Sequence, residues 1–343
     1  MKCDWYDVSD RFIAARSQAA MLLEIAKERG ISSHRLLRGT TLFSEDLTNL
    51  EVNISPAQLS QLFANVNKLG NLRGFSFLYG EGLLPGFSPH LVNALSHAAN
   101  LTQTLELLHR FPLLAFPMLK LQWVSGVRES GLELVNVFGL TDSYIFSAET
   151  ALSAVYSWVK WQSKLDISWR FELNYPQPDY MEEYELYLGD SAFNFNSVRC
   201  RMMVSNRDLL TKWPKGSQSA FEWSLQQLDT QRELSIQQGF CGAVRDVIKQ
   251  RLTREITLEQ VASFFATSTS SLKRKLKRHN TSFQKLLDQC RAEKAVELME
   301  SNNLNIEQLS EALRIPDPSN FRKSFKKWTG YTPKRYREAF NDA

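Results

Sequence analysis

The 343-residue sequence predicts two folds in series. An α+β N-terminal domain, helices followed by a mixed or antiparallel sheet, leads into an all-α C-terminal domain of two helix-turn-helix units joined by a long helix. Three observations carry this expectation. One pattern is written twice near the C-terminus: Leu258-Glu-Gln-Val-Ala-Ser-Phe-Phe265 runs through a polar turn into Ser271-Leu-Lys-Arg-Lys-Leu-Lys-Arg278, and Ile306-Glu-Gln-Leu-Ser-Glu-Ala-Leu313 runs into Asn320-Phe-Arg-Lys-Ser-Phe-Lys-Lys327. The apolar periodicity shortens from helical to alternating after Pro117. The charge also changes sign: from Ser235 onward 20 Lys and Arg stand against 12 Asp and Glu, net +8, while the preceding residues hold 21 against 25, net −4. A basic C-terminal module opposite an acidic remainder points to an anionic partner.

The first elements read as helices. Residues 12–29 carry apolar residues at helical spacing and stop at Gly30, a C-terminal cap. Ser55-Pro-Ala-Gln58 supplies a cap and a first-turn proline ahead of Leu59, Leu62, Phe63 and Val66. After a break at Gly86–Ser88, residues 89–97 and 101–110 continue the helical pattern. Leu119, Leu121 and Trp123 then alternate with polar neighbours, and Leu132–Phe138 follows an expected turn at Glu129-Ser-Gly131, which makes a hairpin. Helix returns over 147–164, strand over 167–173, a short acidic helix over 180–188, and strand over 198–204. The Gln-rich stretch 216–238 is read as a linker with helical content, giving domains at 1–215 and 239–343.

Start signals in the C-terminal half are explicit. Thr257 with Gln260, Thr281 with Gln284, and Asn305 with Gln308 have capping-box spacing. Asp317-Pro318 opens the second basic helix, Gly330 ends it, and Thr332-Pro333 opens a last short helix. Between the units, residues 283–299 form a helix about 26 Å long at ~1.5 Å per residue, close to one turn of DNA. Leu272 with Leu276, and Phe321 with Phe325, are inward i, i+4 pairs. Ser270, Lys273, Arg274 and Lys277 on the first helix, and Ser319, Asn320, Arg322, Lys323 and Lys326 on the second, therefore face outward, and near the helix starts Arg and Asn recognise base edges. Lys277, Arg278, Arg322, Lys326 and Lys327 are the backbone contacts, which position without reading sequence. A basic helix face is ordinarily only a solvated surface; its recurrence in matching frames argues for double-stranded DNA.

Pro318-Ser-Asn-Phe-Arg-Lys-Ser-Phe-Lys-Lys-Trp-Thr-Gly-Tyr-Thr-Pro333, with Tyr336 and Arg337, resembles the AraC/XylS family of bacterial transcription regulators, and the likeness spans about residues 239–340. It implies base-facing positions at Ser270, Lys273, Arg274, Ser319, Asn320 and Lys323, promoter DNA and RNA polymerase as partners, and a homodimer. Departures stand at Ala266 and Arg314, where the family commonly has glycine, and at Ser310 and Lys323 in place of alanine and arginine. The extra residue in the second turn, next to Arg314 and Pro316, makes the first unit the sequence reader and the second more a source of affinity. Residues 20–212 resemble the effector domain named for arabinose binding, mainly at Tyr187-Leu-Gly-Asp-Ser-Ala-Phe-Asn-Phe195 and Met203-Val-Ser-Asn-Arg-Asp-Leu-Leu210. That resemblance implies a domain that senses a small molecule, dimerises, or both.

No effector-binding residues are identified, and no cofactor or metal is expected. Cys3, Cys200, Cys241 and Cys290 are isolated, and His90 and His97 lack a third ligand. The sequence has no Gly-rich phosphate loop and no nucleophile elbow, so an enzyme is disfavoured. With no long apolar span, a cytoplasmic protein is expected. Two readings remain open: an effector-responsive activator, and a ligand-independent regulator whose N-terminal domain serves only dimerisation or protein contact.

Overall fold

A computed structural model describes residues 5–49, 51–69, 73–84, 89–230, 238–252, 254, 256–302 and 304–340. The expected break at Gly86–Ser88 and Cys3 lie outside these residues. The chain enters through β1 (Trp5–Tyr6), and the pair β2 (Ile13–Ala14) and β3 (Asn53–Ile54) brackets α1 (Ala15–Glu28) and α2 (Ser33–Leu37). Gly30, at φ +74°, ends α1 as expected. α3 (Pro56–Lys68) begins with a reciprocal capping box between Ser55 and Gln58. α4 (Phe75–Leu83) had no sequence signal, because it is buried on nearly every side and carries no polar stripe. α5 (Pro89–His97), α6 (Leu101–Arg110) and the short α7 (Pro112–Ala115) complete the first helical layer.

Strands β4 (Leu119–Ser125) and β5 (Glu129–Asn136) form the expected hairpin, but its turn lies at residues 126–128. Ser130 and Gly131, expected in the turn, sit inside β5. Gly131 is needed there because a Cβ would overlap the Met202 carbonyl oxygen on the neighbouring strand. α8 (Tyr144–Ser163), β6 (Trp169–Glu172), α9 (Met181–Leu188), β7 (Ala192–Asn194), β8 (Arg201–Ser205) and α10 (Asn206–Leu209) follow. Buried Glu149 of α8 accepts hydrogen bonds from Ser76 (2.6 Å), Tyr184 (2.6 Å) and Tyr180 (3.0 Å), which ties α4 and α9 to it. Residues read as linker form α11 (Gln218–Thr230), packed on α5 through Asn93 and Ser224 (2.7 Å) and on Arg110 through Asp229 (2.6 Å).

Among the described residues the main sheet runs in the order β4-β5-β8-β6-β7, antiparallel except for β6–β7. Its two faces differ in character. Leu132, Leu134, Phe171, Met202 and Val204 point into the helical core. On the other face one cross-strand row holds Gln122, Glu133, Arg201 and Glu172 in register. This charged face meets the C-terminal module, whose elements are β9 (Gln238–Gly239), α12 (Phe240–Arg251), α13 (Leu258–Phe264), α14 (Thr269–Arg278), α15 (Phe283–Asn302), α16 (Ile306–Ala312), α17 (Pro318–Thr329) and α18 (Pro333–Phe340). β1 pairs with β9 in parallel, so the start of the chain is stitched to this module.

Candidate nucleic-acid interface

Each helix-turn-helix unit is built around its own apolar cluster. Val261, Leu272 and Leu276 pack with Leu286, Leu287 and Cys290 in the first, while Leu309, Phe321 and Phe325 pack with Ala295, Val296 and Met299 in the second. Helix α15 thus gives its first half to one unit and its second half to the other. At 20 residues it is about 30 Å long, a turn longer than the sequence indicated at its C-terminal end. Its N-terminal cap is also displaced by one residue: Ser282, not Thr281, accepts the Lys285 N–H at 3.2 Å.

The turns explain the departures from the expected glycines. Ala266 and Arg314 both occupy the left-handed region, at φ +47° and +53°. A non-glycine residue there costs roughly 1 kcal/mol, small enough for the packed units to absorb. The two frames diverge immediately afterwards. Ser268 caps α14 two residues beyond Ala266, accepting from the Ser271 N–H, whereas Asp317 caps α17 three residues beyond Arg314, accepting from Ser319 and Asn320. Ser310 fits the second turn by donating to the Ile315 carbonyl at 2.8 Å.

Ser270, Lys273 and Arg274 on α14, and Ser319, Asn320 and Lys323 on α17, are all exposed on the faces opposite the apolar pairs. Lys273, Arg274, Lys277, Lys323 and Lys326 form no ion pair among the described residues. Three other cations are engaged within the chain. Arg278 pairs with Asp7 at 3.1 Å, Lys327 with Asp288 at 3.7 Å, and Arg322 lies 4.0 Å from Glu307. The sequence offered no sign of Asp7. It also gave none of Lys275, which turns inward with its ammonium 3.4 Å from the Trp5 ring centre and 3.4 Å from Asp7. Burial pushes the Asp7 carboxyl up, but His279, Arg278 and Lys275 together hold it below the ordinary carboxylate range.

The connecting helix is gripped from the sheet side. Glu293, Glu297 and Glu300 form an i, i+4, i+7 stripe along α15. Arg199 lies 3.7 Å from Glu297 and donates to the Glu293 carbonyl oxygen, and Arg201 bridges Glu172 (2.6 Å) to Glu300 (3.0 Å). Glu293 itself accepts from Arg245 at 2.7 and 2.9 Å and lies 3.0 Å from Lys249. Burial alone would raise the Glu293 carboxyl, yet Arg245 and Lys249 hold it below its usual value. Cys200, Cys241 and Cys290 are buried free thiols pushed up to about 12, and they stay protonated at neutral pH. Among the described residues no helix is long and apolar enough to cross a membrane.

Known proteins resemble both halves of the chain. Residues 261–339 match the family model of a helix-turn-helix domain, and residues 30–212 match that of the N-terminal arabinose-binding domain of AraC transcription regulators. The chain is 25% identical over 325 residues to the ornithine utilization regulator of Pseudomonas aeruginosa, covering 94% of this chain and 95% of that one. The transcriptional activator CfaD of Escherichia coli is 36% identical over 97 residues, 28% of this chain and 37% of its own length. The crystal structure of the regulator CdpR from Pseudomonas aeruginosa, 19% identical, covers 94% of this chain and 98% of its own with a TM-score of 0.42. A tandem helix-turn-helix module behind an arabinose-binding-type domain places this chain in the AraC family of DNA-binding transcription regulators.

Proposed function

We propose that the protein is an effector-responsive activator that acts as a homodimer, engages two successive major grooves per protomer and works on RNA polymerase at the promoter. What carries this reading is the arrangement of two exposed cationic helix faces on one shared spine, α15. In this reading residues 239–343 bind DNA, residues 1–215 sense the effector and dimerise, and 216–238 connect them. Ser270, Lys273, Arg274, Ser319, Asn320 and Lys323 face bases, and Lys277, Arg278, Arg322, Lys326 and Lys327 face phosphates. Asp7 and Asp288 compete with phosphate for Arg278 and Lys327. CfaD is named an activator, which supports the same role here.

Fluorescence anisotropy with promoter and scrambled duplexes tests this reading. Arg274→Ala relaxes base preference by ~1 to 3 kcal/mol, since an arginine fork on guanine is lost. Lys323 lacks the planar fork of arginine, so Lys323→Ala costs affinity more than base preference, with a smaller loss of discrimination than Arg274→Ala and a salt slope lower by about 1. Absence of any sequence preference in the unmodified protein defeats the proposal, and equal loss of preference in both variants defeats the asymmetry between the units. A metabolite screen in which nothing changes thermal stability would favour the ligand-independent role; an effector at 100 times its dissociation constant adds ~2.7 kcal/mol.

A further inference from the structure

A cavity of about 800 Å³ lies between the charged face of the sheet and the connecting helix. On the sheet side it is lined by Glu133, Tyr144, Asn174 and Arg199, on the helix side by Glu293, and its rim reaches Lys327 at the end of the second recognition helix. The buried charges nearby are closely paired: Arg245 and Glu293 share two short hydrogen bonds, although the Arg245 Nε has no partner, and Arg201 sits at 2.6 Å from Glu172. Glu133 and Arg199 are joined more loosely. Their side chains are 9% and 8% exposed, yet they approach only to 3.9 Å, too far for a hydrogen bond. The Arg199 Nε is buried without a hydrogen-bond partner. Arg199 keeps a hydrogen bond to the Glu293 carbonyl and lies 3.7 Å from Glu297, but no hydrogen bond joins it to Glu133, so the buried pair is only partly compensated for its desolvation. Such a pair beside a cavity is an incomplete site, offering one negative and one positive group about 4 Å apart.

We infer that this cavity binds a small zwitterion of the amino-acid type, its ammonium received by Glu133 and its carboxylate by Arg199. A zwitterion brings a hydrogen-bonding partner to both groups at once, whereas a simple amine or a simple acid serves only one of them. Tyr144 and Asn174, themselves hydrogen-bonded at 2.9 Å, add polar groups to the same wall. Arg199 also holds α15 through the Glu293 carbonyl, so a ligand that draws on its guanidinium alters the grip of the sheet on the spine shared by both DNA-binding units. This inference rests on the effector-responsive reading above and names the chemistry of its effector.

The test uses the full-length chain, isothermal titration calorimetry and a panel of L-amino acids, each alongside its decarboxylated amine and its deaminated acid. At least one amino acid is expected to bind, with its amine and its acid each weaker by about tenfold or more. Glu133→Gln is expected to erase the preference for the amino acid over the acid, and Arg199→Gln the preference over the amine. These are ratios within one protein, so partial destabilisation of a variant does not disguise them. Anisotropy on promoter DNA is run on the same samples. DNA binding without binding of any amino acid, a best ligand lacking either charge, or Glu133→Gln with its preference intact overturns the inference while leaving the DNA-binding reading standing. Loss of sequence-specific DNA binding by the unmodified chain would sink that reading instead.

Discussion

His279 sits where the start of the chain, the turn after β5 and the end of α14 meet. It is fully buried, and its Nδ1 lies 2.9 Å from the Phe138 carbonyl, which can only accept, so Nδ1 carries the proton. Nε2 faces the Asp7 carboxylate at 3.6 Å, with Lys275 and Arg278 on the same carboxylate. Burial lowers the imidazole pKa by more than the Phe138 carbonyl and Asp7 raise it. The folded state therefore binds this proton less readily than the unfolded chain. Its contribution to stability is present above the unfolded value of about 6.5 and is lost as pH falls below it. Asp7, held low, acts in the same direction at more acid pH, below about 4. The thermal midpoint should fall between about pH 7 and pH 5, and His279→Gln should flatten that slope; an unchanged slope would show that His279 does not carry it. Gly139 is bound to the same place: it sits at φ +70°, and an added Cβ would overlap the His279 carbonyl oxygen. Gly139→Ala should cost at least about 1 kcal/mol from the backbone alone, read by chemical denaturation, and more from the overlap. None of this was legible in the sequence, because a His-Asn pair at a helix end looks the same whether solvent or another domain covers it.

At the scale of elements, local signals were strong wherever a side chain bonds its own backbone. The boxes at Thr257 and Asn305 and the Asp317 cap form as their spacing indicated, because they need only residues two or three apart. Thr281 and Ser282 offered two hydroxyls in succession, and the second is the cap, in the frame that buries Leu286 and Leu287. α15 looked like an ordinary core helix, yet its apolar residues serve two clusters on different sides and its acidic stripe serves the sheet. The turns repeat one device, a left-handed residue after the first helix, and the first unit uses exposed Ala266 for it. Ala266→Gly should therefore stabilise the chain, by up to about 1 kcal/mol after the greater freedom of unfolded glycine is deducted. A lower melting temperature in that variant would contradict the strain.

On the whole-molecule scale the decisive feature is the charged side of the sheet. Arg201 occupies its centre, 5% exposed, joining Glu172 within the sheet to Glu300 on α15. Arg201→Ala should cost about 3 kcal/mol, the low end for a broken buried pair because Arg170 still holds Glu172. Separation of the melting curve into two transitions would show that this contact couples the halves, and a loss below about 0.5 kcal/mol would show that it does not. The sequence by itself determined the fold class, both helix-turn-helix units and the outward residues of α14 and α17, since those follow from periodicity and capping within a few turns of chain. The tertiary structure alone decided what lies over the polar half of the strands. Lys120 and Gln122 in β4, and Glu133 amid leucines in β5, read locally as a face for water. Here Lys120 reaches Asp246 at 3.0 Å and Glu133 borders the cavity under α15. Alternation reveals that a strand has two faces, but what covers the second depends on partners more than a hundred residues away, which no local period encodes.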